Sequence, residues 1–391
     1  MSSFAIYRLP HADCCTVVEQ TEGSPEELPS CAGLNGRAGF VLAPFSISAR
    51  YPLLLIRPDR LQQVPVGDLR QNALAFCRET PLHFAANHHA FCRKTPCDLP
   101  QNEAHFAANR SDYTADFMRF HRQLQDGSFQ KLVLSRCATV AATVPVQPLQ
   151  LFVEACRCYP RLFIALVYTP QSGLWLTATP EILLDTPAAD QWRTIALAGT
   201  MKLEGGALAF DTPGQHAVAD MAWSTKNMQE QHYVATYLSK QLEPFVRQLT
   251  EEGPRTVRAA NLVHLRSDFT FTLINSARAG DLLQALHPTP AVCGLPKQQA
   301  VRFILSGEYT PRQYYSGFMG PLAMHRPDNG HFAATHLYVT LRCMQIEPHA
   351  YRLYAGGGLL KESVEEQEWM ETEAKMDTMR RCILAVEANQ V

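Results

Sequence analysis

The spacing of apolar residues changes character near residue 111. Before that point periodicity is weak and Pro and His cluster; beyond it the pattern resolves into helices and strands of good length. The segment DYTADFMRFHRQLQDGS puts Phe117, Phe120 and Leu124 on one face, which predicts an amphipathic helix ended by Gly127. FQKLVLSRCATVAATV predicts a strand. RLFIALVYT and GLWLTATPEILLDT predict two more, joined as an antiparallel hairpin by the turn residues PQSG. QWRTIALAG, THLYVTLRCMQIE and RLYAGGG read as later strands, while STKNMQEQHYVATYLSKQLEPF and SVEEQEWMETEAKMDTMRRCILAV read as long helices. Neighbouring strands interrupted by helices, without strict βαβ alternation, predict an α+β fold with mainly antiparallel sheets.

Composition narrows the functional classes. A length of 391 residues admits two average domains or one built on large sheets, and 46% apolar with 18% charged residues is the balance of a folded protein with a large core. A formal charge of −2 offers no basic stripe for nucleic acid, and no apolar run reaches the roughly 18 residues that span a bilayer. The start, MSSFAIYRLPHADCC, lacks the basic and apolar regions of a signal peptide, so a cytoplasmic location is expected. Twelve scattered cysteines without a C-x-x-C pair fit buried free thiols in a reducing compartment. Residues 75–87 (AFCRETP, then HFAAN) recur within 90–109 (AFCRKTP, then HFAAN). The surrounding His and Cys residues match no zinc-finger spacing, and a surface loop expanded by duplication between 75 and 110 is the expectation.

Several charged residues stand where apolar neighbours make them costly. Glu230 lies on the stripe formed by Val234, Tyr237, Leu238, Leu242 and Phe245, four residues before the first of these. It is either a buried carboxylate that needs a cation or the solvated end of a frayed helix. On the last helix, Glu368, Glu371 and Lys375 fall on one strip after a capping-box pair, Ser363 and Glu366. That strip reads as a solvated Glu–Lys face, or as the partner of Glu230 in a site where Mg²⁺ takes oxygen ligands from two helices. Lys131 opens an apolar strand, where a buried lysine can act as a base or a snorkelling one merely reach water. Glu181, between turn residues and an apolar run, is placed to stay protonated and serve as an acid. Gly356, Gly357 and Gly358 allow close backbone approach to a ligand but match no nucleotide-binding fingerprint. Arg342 is a fork for a substrate carboxylate or half of a structural ion pair.

Taken together, KLVLSR, TATPEILL, ALAGT, the helix with QEQH, LVHLRS, LHPTPAVCGLP, YYSGFMGPL, LYVTLRC, AGGG and EWMETEAK resemble the ordered motifs of the chorismate-utilising enzymes, over about residues 112–385. The resemblance implies two large, mainly antiparallel sheets packed together with helices outside. It also implies a chorismate-binding catalytic core over 111–391 and a divergent N-terminal part of the same domain over 1–110. Lysine at 131, where ammonia-adding members carry Gln, implies water as nucleophile and no glutaminase subunit. Ala291 implies isochorismate as product, for menaquinone or a siderophore, with release of salicylate and pyruvate as the alternative and a degenerate chorismate-binding protein as the non-enzymatic one. By motif, Lys131 is the implied base and Glu181 the implied acid. Glu230 and Glu371 are the implied Mg²⁺ ligands, with Glu368 holding a metal-bound water. Arg342, Lys375 and the backbone at Gly199, Gly356 and Gly358 are the implied carboxylate-binding groups, and His264 and Tyr315 the implied ring-lining residues. Thr225, Asn227 and Gln231 depart from the motif around Glu230.

Overall fold

The computed structural model describes residues 3–71, 110–202, 222–259, 262–325 and 333–389. The duplicated segment lies outside the described residues. In chain order the strands and helices are β1 (Ser3–Arg8), β2 (Cys14–Gln20), β3 (Glu26–Leu28), β4 (Gly39–Ala43), β5 (Leu53–Ile56), β6 (Arg60–Pro65), α1 (Val66–Gln71) and α2 (Arg110–Gln125). There follow β7 (Lys131–Ala141), α3 (Pro148–Cys158), β8 (Phe163–Thr169), β9 (Gly173–Thr179), β10 (Ile182–Ala188), β11 (Gln191–Lys202), α4 (Thr225–Leu242), β12 (Val246–Ala259) and β13 (Leu262–Leu273). The last part holds α5 (Ala279–Leu286), β14 (Gly294–Leu295), α6 (Lys297–Gly307), β15 (Phe318–Leu322), β16 (His336–Val339), β17 (Cys343–Ile346), β18 (Ala350–Leu359) and α7 (Glu365–Ala388).

The strands form two nine-stranded sheets, in the orders β14-β7-β18-β17-β9-β8-β1-β2-β6 and β12-β13-β11-β10-β16-β15-β4-β5-β3. All their described pairings are antiparallel, as the pattern predicts. The weakly patterned N-terminus supplies three strands to the far end of each sheet. Burial on both faces explains why so many strands read as continuous apolar runs. In β8, Phe163, Ala165 and Val167 face the layer between the sheets, while Ile164, Leu166 and Tyr168 face the layer under α3 and α7. Rings stack across the interface, with Phe163 and Tyr338 4.3 Å apart and within 2° of parallel. α4 and α5 cover the outer face of the second sheet, and α2 and α6 pack beside β7.

Three sequence expectations are corrected, and the first two corrections locate the site. GLWLTATPEILLDT is not one strand: β9 belongs to the first sheet and β10 to the second, with Pro180 and Glu181 at the crossing. Pro180 has no N–H for a ladder, so pairing ends there and the chain changes sheet. THLYVTLRCMQIE divides in the same way, β16 in the second sheet and β17 in the first, and Arg342 at the crossing takes φ +46°. Because β9 pairs with β17 and β10 with β16, the two crossings run side by side, tied by Val339 N–H to Glu181 O at 2.9 Å and Ala178 N–H to Arg342 O at 3.2 Å. The capping box is also absent: α7 starts after Val364, and the Ser363 hydroxyl instead accepts from Leu360 N–H at 3.0 Å, closing the turn out of β18.

Candidate active site

Between the two crossings, the start of β7, the glycines of β18 and the inward faces of α4 and α7 lies a cleft, about 630 Å³ with the open space at its mouth counted. Its wall contains Glu181, Gly199, Glu230, His264, Ala291, Tyr315, Arg342, Gly356, Gly358 and Lys375, all singled out from the sequence. Lys131, Glu368 and Glu371 stand behind or beside that wall.

Lys131 is fully buried, and its Nζ lies 3.0 Å from Glu230 Oε1 in an ion pair. Burial alone would raise the Glu230 pKa; Lys131, then Lys226, outweigh it and hold the carboxylate below its ordinary range. Glu230 is thus the buried carboxylate of the two sequence alternatives, not the end of a frayed helix. It fits because β18 has no side chain in its path: a Cβ on Gly358 would sit 2.1 Å from Glu230 Oε1 and 3.1 Å from Lys131 Cε.

The strip on α7 is likewise inward. Glu368 is 1% exposed and its Oε1 accepts from Lys226, while Oε2 is buried without a partner. Burial, reinforced by Glu371, pushes the Glu368 carboxyl up to about 7. Lys375 donates to Glu371 Oε1 at 2.6 Å and to Gly356 O at 2.8 Å, so it bridges α7 and β18. A Cβ on Gly357 would lie 3.1 Å from Glu368 Oε2 and 3.7 Å from Glu371 Oε1. Glu230, Glu368 and Glu371 therefore all cover the same glycine backbone, each engaged by a lysine. Among the described residues no three potential ligands converge tightly enough to form a ready-made metal cage.

The opposite wall carries the crossings. Complete burial pushes the Glu181 carboxyl up to about 8, against the opposing pull of Lys131, Lys375 and Arg342. Burial brings Arg342 down to about 10. Its guanidinium donates to His264 Nε2 at 2.6 Å, and His264 Nδ1 lies 3.2 Å from Gly199 O. Burial first, then Arg342 and Lys375, hold His264 well below the usual imidazole range, so it is neutral, accepting at Nε2 and donating at Nδ1. Gly199, at φ +70°, interrupts the β11 register and lets α4 approach: its Cβ would lie 3.1 Å from Asn227 O.

The family profile described as chorismate binding enzyme matches residues 79–384. The chain belongs to this family. Among chorismate-binding enzymes, it is 32% identical over 270 residues to isochorismate synthase DhbC of Bacillus subtilis, a match covering 67% of this chain and 65% of that one. The matched segment thus spans a little under two thirds of that relative. The solved DhbC structure from Bacillus anthracis has the same fold (TM-score 0.75, 21% identity, covering 97% of this chain and 96% of that one). So does MenF, the menaquinone-specific isochorismate synthase of Escherichia coli (TM-score 0.72, 22% identity, 97% and 88%).

Three features of this chorismate-binding enzyme escaped the sequence reading. Lys226 looks like any helix lysine, and only the fold brings it to Glu368. Gln231, read as a departure from the motif, accepts from Ala198 N–H at 2.9 Å and donates to Ala196 O and Ser267 Oγ, seating α4 against β11. Arg312 donates to Val292 O at 2.6 Å and Val133 O at 2.8 Å, holding together two segments of the cleft wall. A basic residue just before YYSG was the available signal for Arg312, and Lys226 keeps the family's lysine within the motif from which Thr225, Asn227 and Gln231 depart.

Proposed function

We propose that this chain is an isochorismate synthase, converting chorismate to isochorismate by adding water at ring carbon 2 and expelling the hydroxyl from carbon 4. The observation that carries the reading is a carboxyl held protonated to about pH 8 on one side of a cleft whose other side holds a buried lysine. Acid and base are both needed for the reaction; burial supplies the acid at Glu181, and Lys131 is the base this reading assigns. The named relatives support the same reaction.

In this mechanism Arg342, held by His264, and Lys375 bind the substrate carboxylates with the backbone at Gly199, Gly356 and Gly358. Tyr315, His264 and Ala291 bound the ring. Lys131, once its pairing with Glu230 opens and its ammonium has released a proton to solvent, takes a proton from the attacking water as the carbon–oxygen bond forms. Glu181 gives its proton to the departing hydroxyl, which leaves as water. One water enters and one leaves, and proton exchange with solvent resets both groups.

The donor set suits Mg²⁺ in kind: three carboxylates, hard oxygen ligands on two helices, with the Glu368 Oε2 atom buried and lacking a partner. Glu230 and Glu371 would hold the ion, with Glu368 in support, and it would supply positive charge against a substrate carboxylate. The unpaired cysteines among the described residues support a reducing, cytoplasmic setting. The test is incubation with chorismate and Mg²⁺ followed by chromatographic separation. Isochorismate is expected; salicylate with pyruvate would replace the reading with a salicylate synthase, and an ammonia-dependent aromatic amine would overturn water as the nucleophile.

A further inference from the structure

We propose that the side chain of Lys226 is the resident counter-cation of the carboxylate cluster, and that a divalent cation enters only by displacing it. The inference rests on the reading of Glu230, Glu368 and Glu371 as the cation-binding carboxylates. Lys226 stands one turn before Glu230 on α4, so both side chains leave the helix on the same face. Its Nζ donates to Glu368 Oε1, and Glu230 and Glu371 both lie within its electrostatic reach. The first turn of α4 contains no acid that could draw the lysine elsewhere, since Thr225 and Asn227 flank it.

Burial and hydrogen bonding together single this lysine out, since Lys375 is about as exposed, at 19%, but has a second acceptor. Lys131, Lys226 and Lys375 pair with Glu230, Glu368 and Glu371, so each carboxyl of the cluster already has a lysine partner. Adding a doubly charged cation to buried carboxyls that already have lysine partners crowds positive charge at a cost unless one lysine withdraws. Lys131 has no route out, being fully buried, and Lys375 is tied to Gly356 O as well as to Glu371. The Lys226 side chain is 22% exposed and can swing into water on its flexible stem. The same arrangement accounts for the lack of a ready-made cage among the described residues: the carboxylates are turned toward lysines.

Isothermal titration of the full chain with Mg²⁺ alone tests this, comparing wild type with Lys226→Met and Lys226→Arg. Lys226→Met, which keeps the apolar stem and removes the charge, is expected to bind Mg²⁺ about tenfold tighter, roughly 1.4 kcal/mol, and Lys226→Arg no tighter than wild type. Equal or weaker binding by a folded Lys226→Met would overturn the proposal. A second measurement uses the native protein: acetylation of Lys226, read by mass spectrometry, should rise several-fold at saturating Mg²⁺, and an unchanged level would also sink displacement. Glu371→Gln should abolish the binding isotherm. If wild type and Lys226→Met both fail to bind Mg²⁺, the metal reading itself falls and displacement with it; binding that needs Glu371 but ignores Lys226 removes displacement alone.

Discussion

Two buried ionic clusters border the same cleft, and they are built on opposite principles. In one, Arg312 and Glu308 are saturated. Arg312 donates from every guanidinium nitrogen, to Glu308, Val292 O and Val133 O, and lies 4.4 Å over the Phe45 ring, while Glu308 also accepts from Ser135 N–H at 2.8 Å. In the other, Lys131 has Glu230 as its one close acceptor among the described residues and Glu368 Oε2 has no partner, although both are as deeply buried. Burial and charge do not separate the two; hydrogen-bond saturation does. A saturated pair holds two segments in one geometry, whereas groups that must exchange partners during a reaction cannot be saturated at rest.

Disabling each cluster should break different properties. The largest effect is expected from Lys131→Ala, a fall of about 10²–10⁴-fold in kcat with chorismate binding still measurable by calorimetry, because the base is lost while the carboxylate-binding groups remain. Full activity in that variant would remove the proposed base. Its cost in stability should be the smaller of the two clusters, since Glu230 keeps Lys226 and Lys375 within reach.

Arg312→Met should reverse that balance. It leaves Glu308 buried and unpaired and is expected to cost about 3–5 kcal/mol in urea unfolding, with the folded enzyme keeping more of its kcat than Lys131→Ala does. Equal unfolding midpoints for the two variants would erase the distinction drawn between the clusters.

The smallest effect is the pH response. As the proposed acid, Glu181 must be protonated to act, and burial pushes its carboxyl up to about 8, so kcat should fall roughly tenfold per unit above that pH. Glu181→Gln should lose this alkaline limb together with most of its activity. The stability linkage has the same sign: the folded pKa lies above the ordinary 4.5, so stability from this group is complete below 4.5 and disappears as pH rises through 8. A limb that persists in Glu181→Gln would assign it to another group.

Much of the site was legible because its residues break local rules. A glutamate on an apolar helical stripe, a lysine opening an apolar strand and three glycines ending one are visible as exceptions, and motif order joined them. Readings that depended on where a strand ends were less secure. GLWLTATPEILLDT has one unbroken apolar pattern on either side of Pro180, and periodicity cannot tell a strand that continues from one that changes sheet. Ser363 and Glu366 have capping-box spacing, yet the serine serves the preceding turn.

By itself, the order of apolar and polar residues determined the long helices α2, α4 and α7, the strands from β7 to β11 and from β16 to β18, their antiparallel class and the charged residues that a simple core would not tolerate. Only the tertiary structure decided that Glu181 and Arg342 lie at neighbouring crossings between sheets, that Lys226 belongs to the carboxylates, and that Arg312 holds the wall together. The physical reason is range. Periodicity and propensity act over a few residues, whereas the partner of a buried charge is chosen by packing between segments far apart in the chain, such as Lys226 and Glu368, 142 residues apart.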